Sequence, residues 1–147
     1  MIPKNALELA KHFEGWSSKP YICPAGFWTI GYGHLWNKKY PSVIINKEQG
    51  EKYLQQDMMS ALRGTIKYCP ILLRDSEEML GAIVDFVFNL GVGRLQMSTL
   101  RRRINQRNWN EVVKELQKWV YGGGKKLPGL ILRRKAESLF FNRKGIV

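Results

Sequence analysis

Three side chains suited to acid–base and nucleophilic chemistry fall close together near the start of the sequence. Glu14 is followed nine positions later by Cys23, and Cys23 six positions later by Thr29. A carboxyl, a thiol and a hydroxyl are thereby set around a glycine- and aromatic-rich stretch, Trp28-Thr29-Ile30-Gly31-Tyr32-Gly33-His34. A carboxyl flanked by Phe13 and Trp16 and partly removed from water has its neutral form favoured, so Glu14 can stay protonated and donate a proton. As a thiolate, Cys23 can polarise a water, balance developing positive charge or attack directly. Against this, a free cysteine is more often a small buried hydrophobe, and a Thr in such a run more often a β-branched strand residue. The chemistry therefore depends on the elements that position the three groups.

Ala6, Leu7, Leu9, Ala10 and Phe13 recur at helical spacing and Gly15 stops the pattern, which places Glu14 in the last turn of a helix. The region from Pro20 to Pro41 is rich in Pro, Gly and aromatic residues. Within it the β-prone run Phe27 to His34, broken by Gly31 and Gly33, predicts a small twisted hairpin with tight turns. Ser42-Val43-Ile44-Ile45 reads as one more short strand. Asn46 with Gln49 three residues on forms a capping-box pattern and predicts a helix over 47–68, ending before Pro70, with Tyr53, Leu54, Met58, Leu62 and Ile66 inward. Ser76 caps the next helix, in which Met79, Leu80, Ile83, Val84, Phe86, Val87, Phe88 and Leu90 leave almost no polar face, as expected of the centre of a helical lobe. Further helices are predicted from Met97 to Asn105, Trp109 to Tyr121 and Leu130 to Phe141. Gly122-Gly123-Gly124 reads as a flexible connector rather than a phosphate loop, since no strand precedes it and no Gly-Lys-Ser/Thr follows.

These elements predict an α+β, predominantly helical fold: a helix and β lobe over about 1–46, a linking helix over about 47–68 and a helical lobe over about 69–147, with a cleft between the lobes. A length of 147 residues suits a single unit of this kind. No stretch approaches the roughly 20 apolar residues that cross a bilayer, and Met1 to Ala6 lacks a charged leader followed by an apolar run, so the expectation is neither an export signal nor a membrane anchor. The two cysteines have only two histidines for company, and no spacing suits a structural metal. Of the net charge of +12, residues 1–100 contribute 11 basic against 9 acidic side chains and residues 101–147 contribute 13 against 3. The last third of the chain should attract polyanions, but no nucleic-acid recognition motif accompanies the charge.

The set Glu14, Cys23, Thr29 resembles the phage lysozymes of glycoside hydrolase family twenty-four, whose signature is Glu, then Asp or Cys, then Thr at this spacing. Phe86-Val87-Phe88-Asn89-Leu90-Gly91 is similar to that family's Phe-x-Phe-Asn-x-Gly element and Ser98-Thr99-Leu100 to another. Trp119 followed by Gly129-Leu130 and Arg133-Arg134-Lys135-Ala136-Glu137 is similar to the last. The resemblance covers most of the chain and implies a lysozyme-like two-lobe fold. It implies an endolysin, a cofactor-free muramidase hydrolysing the β-1,4 bond between N-acetylmuramic acid and N-acetylglucosamine and thereby lysing the host cell. Glu14 would be the general acid, Cys23 the second catalytic group and Thr29 the holder of the attacking water. Phe88, Asn89, Trp119, Arg133 and Arg134 would bind substrate, with Arg133 or Arg134 also orienting Glu14. His34 would be structural and paired with Asp57. By analogy the protein would wait in the host cytoplasm until a separate pore protein releases it, and a monomer is the simplest state. Two rivals stand beside this reading. One is a lytic transglycosylase, which breaks the same bond with a single Glu and no water. The other is action on an anionic outer-membrane surface through a basic amphipathic helix within Lys125 to Lys144, with Leu130, Ile131, Leu139, Phe140 and Phe141 on one face and Arg133, Arg134, Lys135 and Arg143 on the other.

Overall fold

In a computed structural model, which describes residues 1–37 and 42–142, the chain begins with helix α1, Lys4–Glu14. Gly15, at φ 69°, closes α1 by donating its N–H to Lys11 O, so Glu14 ends the helix as the pattern predicts. Strands β1 (Ser17–Ile22), β2 (Trp28–Gly31) and β3 (His34–Leu35) form an antiparallel sheet in the order β1-β2-β3. Tyr21 pairs with Thr29 and Ile30 with His34. The tight β2–β3 turn relies on Gly31 and Gly33, at φ 64° and 76°, a conformation that costs an L side chain on the order of 1–2 kcal/mol.

The strand expected at 42–45 is absent. Ile45 is buried and donates one backbone hydrogen bond to Ser18 O, but the next residue already caps a helix, which leaves no length for a ladder. That helix, α2, spans Lys47–Tyr68, and Asn46 and Gln49 close the expected capping box. Gly50 lets the ring of Trp16 lie flat on α2: a Cβ there would stand 2.2 Å from the Trp16 Cζ3 atom. This contact seats the sheet on the linking helix.

A 3-10 turn, Pro70–Leu73, leads to α3, Glu77–Leu90, capped by Ser76. Every residue from Met79 to Val87 is buried, which makes α3 the axis of the helical lobe. Around it lie α4 (Val92–Gln96), α5 (Thr99–Asn105), α6 (Trp109–Leu116) and α7 (Pro128–Leu139). The helix expected from Met97 starts at Thr99 instead, because the Ser98 hydroxyl accepts from Arg101 N and caps α5 there. Two further boundaries differ. α6 stops at Leu116 rather than Tyr121. Gly122-Gly123-Gly124, expected as a flexible connector, lies within a β-hairpin of β4 (Tyr121–Gly122) and β5 (Lys125–Lys126), whose two turn residues, Gly123 and Gly124, both have positive φ. Pro128 at the first turn starts α7 two residues early. Among the described residues no helix is long and apolar enough to cross a membrane.

The amphipathic face expected of the last helix is also corrected. Arg133 and Arg134, assigned to its polar side, are only 3% and 0% exposed, whereas Leu132 and Leu139 face solvent. Arg143 and Lys144 lie outside the described residues.

Candidate active site

The sheet, α2 and α3 enclose a cleft of about 290 Å³, lined on one side by Gly33, His34 and Leu35, on its floor by Asp57, Ser60 and Ala61, and on the other side by Val87, Phe88, Gly91 and Val92. His34 and Asp57 meet as expected: Nδ1 lies 2.7 Å from Asp57 Oδ2, and the imidazole stacks on Tyr53 with ring centroids 4.3 Å apart. The pair joins β3 to α2 and fixes the near wall of the cleft.

Glu14 sits at the cleft's edge against Gly33, where an added Cβ would fall 2.6 Å from Glu14 Oε1. Its other oxygen accepts from Arg133 Nη1 at 2.7 Å. The same guanidinium donates through Nε and Nη2 to the two oxygens of Asp85, at 2.9 and 2.7 Å. Its carbon lies 5.5 Å from the Phe13 ring centroid and 5.9 Å from that of Phe88. Burial pushes the Asp85 carboxyl up, but Arg133 outweighs it and holds Asp85 below the ordinary carboxylate range. Burial likewise disfavours the charged guanidinium, and Asp85 and Glu14 together overcome that.

Cys23 opens a tight turn. Its carbonyl accepts from Gly26 N and its N–H donates to Phe27 O. Burial raises the thiol, but hydrogen bonds from the backbone N–H of Phe27, the Thr29 hydroxyl and the backbone N–H of Ala25 and Gly26 outweigh it, and the net shift is downward. The turn is thus a small anion cradle built from main-chain donors. Thr29, buried on β2, also lies 3.0 Å from Phe27 O, so its single proton is shared between that carbonyl and the sulfur. Cys69, buried at the end of α2, is the reverse case: desolvation pushes its thiol up to about 12 and leaves it inert.

Tyr21 was not singled out by the sequence. Burial raises its phenol, and the charges of Glu14 and Cys23 add to the effect. Asp85 and Glu137 were missed too. The available signal was an acid inside the unbroken apolar run of α3, since a fully buried carboxylate needs a buried cation.

Of the five residues expected to bind substrate, Phe88 lines the cleft and Asn89 follows it, its amide oxygen held by Arg134 Nη2 at 2.7 Å. Arg133 and Arg134 are corrected: their burial takes both guanidiniums out of reach of a ligand, and they act from behind the cleft wall. Trp119 packs edge-on against Phe86 and borders a separate hollow of about 610 Å³ with Ser98, Thr99 and Glu115. Among the described residues no group of three or more His, Cys, Asp or Glu is placed to hold a metal ion.

Comparison with known proteins agrees with this geometry. The chain is similar to the muramidase domain of SpmX from Asticaccaulis excentricus, with a TM-score of 0.82 and 25% identity over 97% of this chain and 98% of that one. It shares its fold with the P1 phage endolysin Lyz, at a TM-score of 0.85 and 24% identity over 99% and 86% of the two chains. The fold and its cleft are those of the lysozyme class of glycoside hydrolases. Residues 11–137 match the phage lysozyme family, and the chain belongs to that family. The endolysin of Acyrthosiphon pisum secondary endosymbiont phage 1 is 37% identical over 146 residues, covering 95% of this chain and 97% of that protein. The endolysin of Bacillus phage B103 is 34% identical over 142 residues; the match covers 95% of this chain and 53% of that relative, so the chain spans about half its length.

Proposed function

We propose that the protein is an endolysin that hydrolyses the β-1,4 bond between N-acetylmuramic acid and N-acetylglucosamine, with Glu14 as general acid, Cys23 as the anionic second group and Thr29 as the residue that steadies the attacking water. The observation that carries this reading is a carboxyl held by Arg133 against Gly33 at the cleft's edge, with the Cys23 turn and Thr29 on the sheet whose last strand lines that cleft. Glu14 hands its proton to the glycosidic oxygen as the bond breaks, while the thiolate faces the positive charge that develops at the anomeric carbon. Asp85 takes two of the three charge-assisted bonds of Arg133, so Glu14 is oriented by a guanidinium whose charge is chiefly answered elsewhere. Phe88 offers an apolar ring to the sugar face, and the Asn89 NH2, turned away from Arg134, suits an N-acetyl carbonyl.

The same reading takes residues 1–147 as one catalytic domain that works as a monomer, waits in the host cytoplasm and reaches the wall when a separate pore protein releases it. Affinity for an anionic outer membrane would rest on Lys125, Lys126 and Lys135, which are exposed, rather than on the buried arginines.

The test is mass spectrometry of fragments released from purified peptidoglycan by the intact protein and by Glu14→Gln. Hydrated reducing-end muramic acid, absent with the variant, is the expected result. Anhydro products would make the protein a transglycosylase, and release that does not depend on Glu14 would remove the acid assignment.

A further inference from the structure

Behind the cleft, buried ionic and polar groups form a continuous path whose middle has no part in the chemistry just described. From Glu14 it runs through Arg133 to Asp85. Asp85 and Glu137 are neighbours in this buried cluster, each acting on the other's charge. Glu137 meets Arg134, with Oε1 2.8 Å from Nε and Oε2 accepting from Nη2 at 3.1 Å, and that same Nη2 donates to Asn89 Oδ1. Asp85, Arg134 and Glu137 are 0% exposed. One end of the path is Glu14, against the cleft-lining Gly33, and the other is Asn89, next in the chain to the cleft-lining Phe88.

Charge balance explains why the path holds together. Each buried guanidinium answers a buried carboxyl, Arg133 that of Asp85 and Arg134 that of Glu137, and an uncompensated charge in a dry interior costs several kcal/mol. Burial and the neighbouring Asp85 both press Glu137 towards its acid form. Arg133 presses Asp85 the other way, towards the anion that grips it.

Resting on the assignment of Glu14 as the general acid, we propose that Asp85 positions Glu14 through Arg133, and that Arg134 carries the same frame to Asn89, so that the acid and the glycan-facing amide are held at a set separation by side chains that never touch substrate. A planar guanidinium gripped at Nε and Nη2 has one orientation left for Nη1, and that orientation dictates where Glu14 Oε2 lies. Phe13 and Phe88, with ring centroids 5.5 and 5.9 Å from the guanidinium carbon, offer it no directional bond, so the Asp85 fork is what fixes its rotation independently of Glu14. Glu14, whose side chain keeps 22% of its surface exposed at a helix end, has no comparable restraint of its own.

Asp85→Asn keeps the shape and removes the charge. Assayed on soluble uncrosslinked glycan strands, it should lower kcat about 10- to 100-fold, as expected for a misplaced catalytic group, with KM within about twofold and an unchanged far-UV circular dichroism spectrum. An unchanged kcat per folded molecule overturns the proposal, even if the melting temperature falls. Glu14→Gln, run alongside, separates the two layers: if it retains activity the acid assignment fails, and if it is inactive while Asp85→Asn is not impaired only the positioning role fails. Should Asp85→Asn not fold, nitrogen-15 NMR of the Arg133 guanidinium in Glu14→Gln decides. Restricted rotation that survives the loss of Glu14 is the expected result, and free rotation with Asp85 intact overturns the inference.

Discussion

On the helical side of the site, Glu14 is held by side chains that are themselves buried and charged; on the hairpin side, Cys23 is held by main-chain N–H groups of a short exposed turn. The first arrangement is a set of mutually dependent partners, because each carboxylate or guanidinium taken from water needs the next one to answer its charge. The second depends on the backbone of one turn and a single hydroxyl, Thr29, with no buried charge to answer. This contrast accounts for a second catalytic position that tolerates either Asp or Cys in the family resembled, while the acid side brings together residues from α1, α3 and α7. It also predicts that mutations on the two sides fail differently, by loss of fold on one and by loss of chemistry on the other.

The sharpest way to break the comparison is Arg133→Ala. It leaves Asp85 buried without its cation and should cost about 3–5 kcal/mol in urea unfolding; a loss below about 1 kcal/mol would mean that the buried side is no more interdependent than the turn. Glu137→Gln tests the charge state of the cluster through pH. The folded-state pKa of Glu137 is raised, so the native protein holds a proton that the unfolded chain releases above about pH 4.3, and this residue's contribution to stability declines as pH rises from there. Wild-type protein should therefore lose stability relative to the variant as pH rises above about 4.3, by up to about 1.4 kcal/mol per pH unit. Parallel stability curves would place no proton on Glu137. The contribution of Asp85 has the opposite sign and a lower window: its pKa is depressed, so its share is present above about pH 3.9 and is lost only as pH falls further.

Smaller effects sharpen the hairpin side. Gly33→Ala places a Cβ at positive φ against the Glu14 carboxyl and should cost roughly 1–2 kcal/mol. It should also cut lysis about tenfold, in the range expected for a displaced catalytic group. Cys23→Asp and Cys23→Ser should each stay within about 1 kcal/mol of wild type, yet only Asp should retain activity, as measured by release of reducing ends. Iodoacetamide should label Cys23 with a midpoint below the ordinary thiol value of about 8.5 and leave Cys69 untouched in the folded protein.

What could be read from the sequence divides along the same line. Local signals were sufficient for α1, α2 and α3, because caps at Asn46 and Ser76 and the stop at Gly15 act within a few residues. The His34–Asp57 pair was also legible, through the family resemblance. Gly122-Gly123-Gly124 was not legible as a hairpin because three glycines in succession are equally compatible with a loose connector and with a tight turn, and only strand pairing distinguishes them. The inward turn of Arg133 and Arg134 was illegible for a different reason. Helical periodicity assigns arginine to solvent, and only the three-dimensional meeting of α7 with Asp85 and Asn89 reverses that preference.

Glu14 and the arginine that orients it are 119 residues apart in the chain, near opposite ends of the described structure. Chains emerge from the ribosome at roughly 5–20 residues per second, so the acid-bearing helix spends most of synthesis without its holder. A product stopped anywhere before α7 carries the whole Glu14, Cys23 and Thr29 signature yet cannot assemble the site. On the proposed reading, a truncated chain that stops before α7 should release no reducing ends from peptidoglycan.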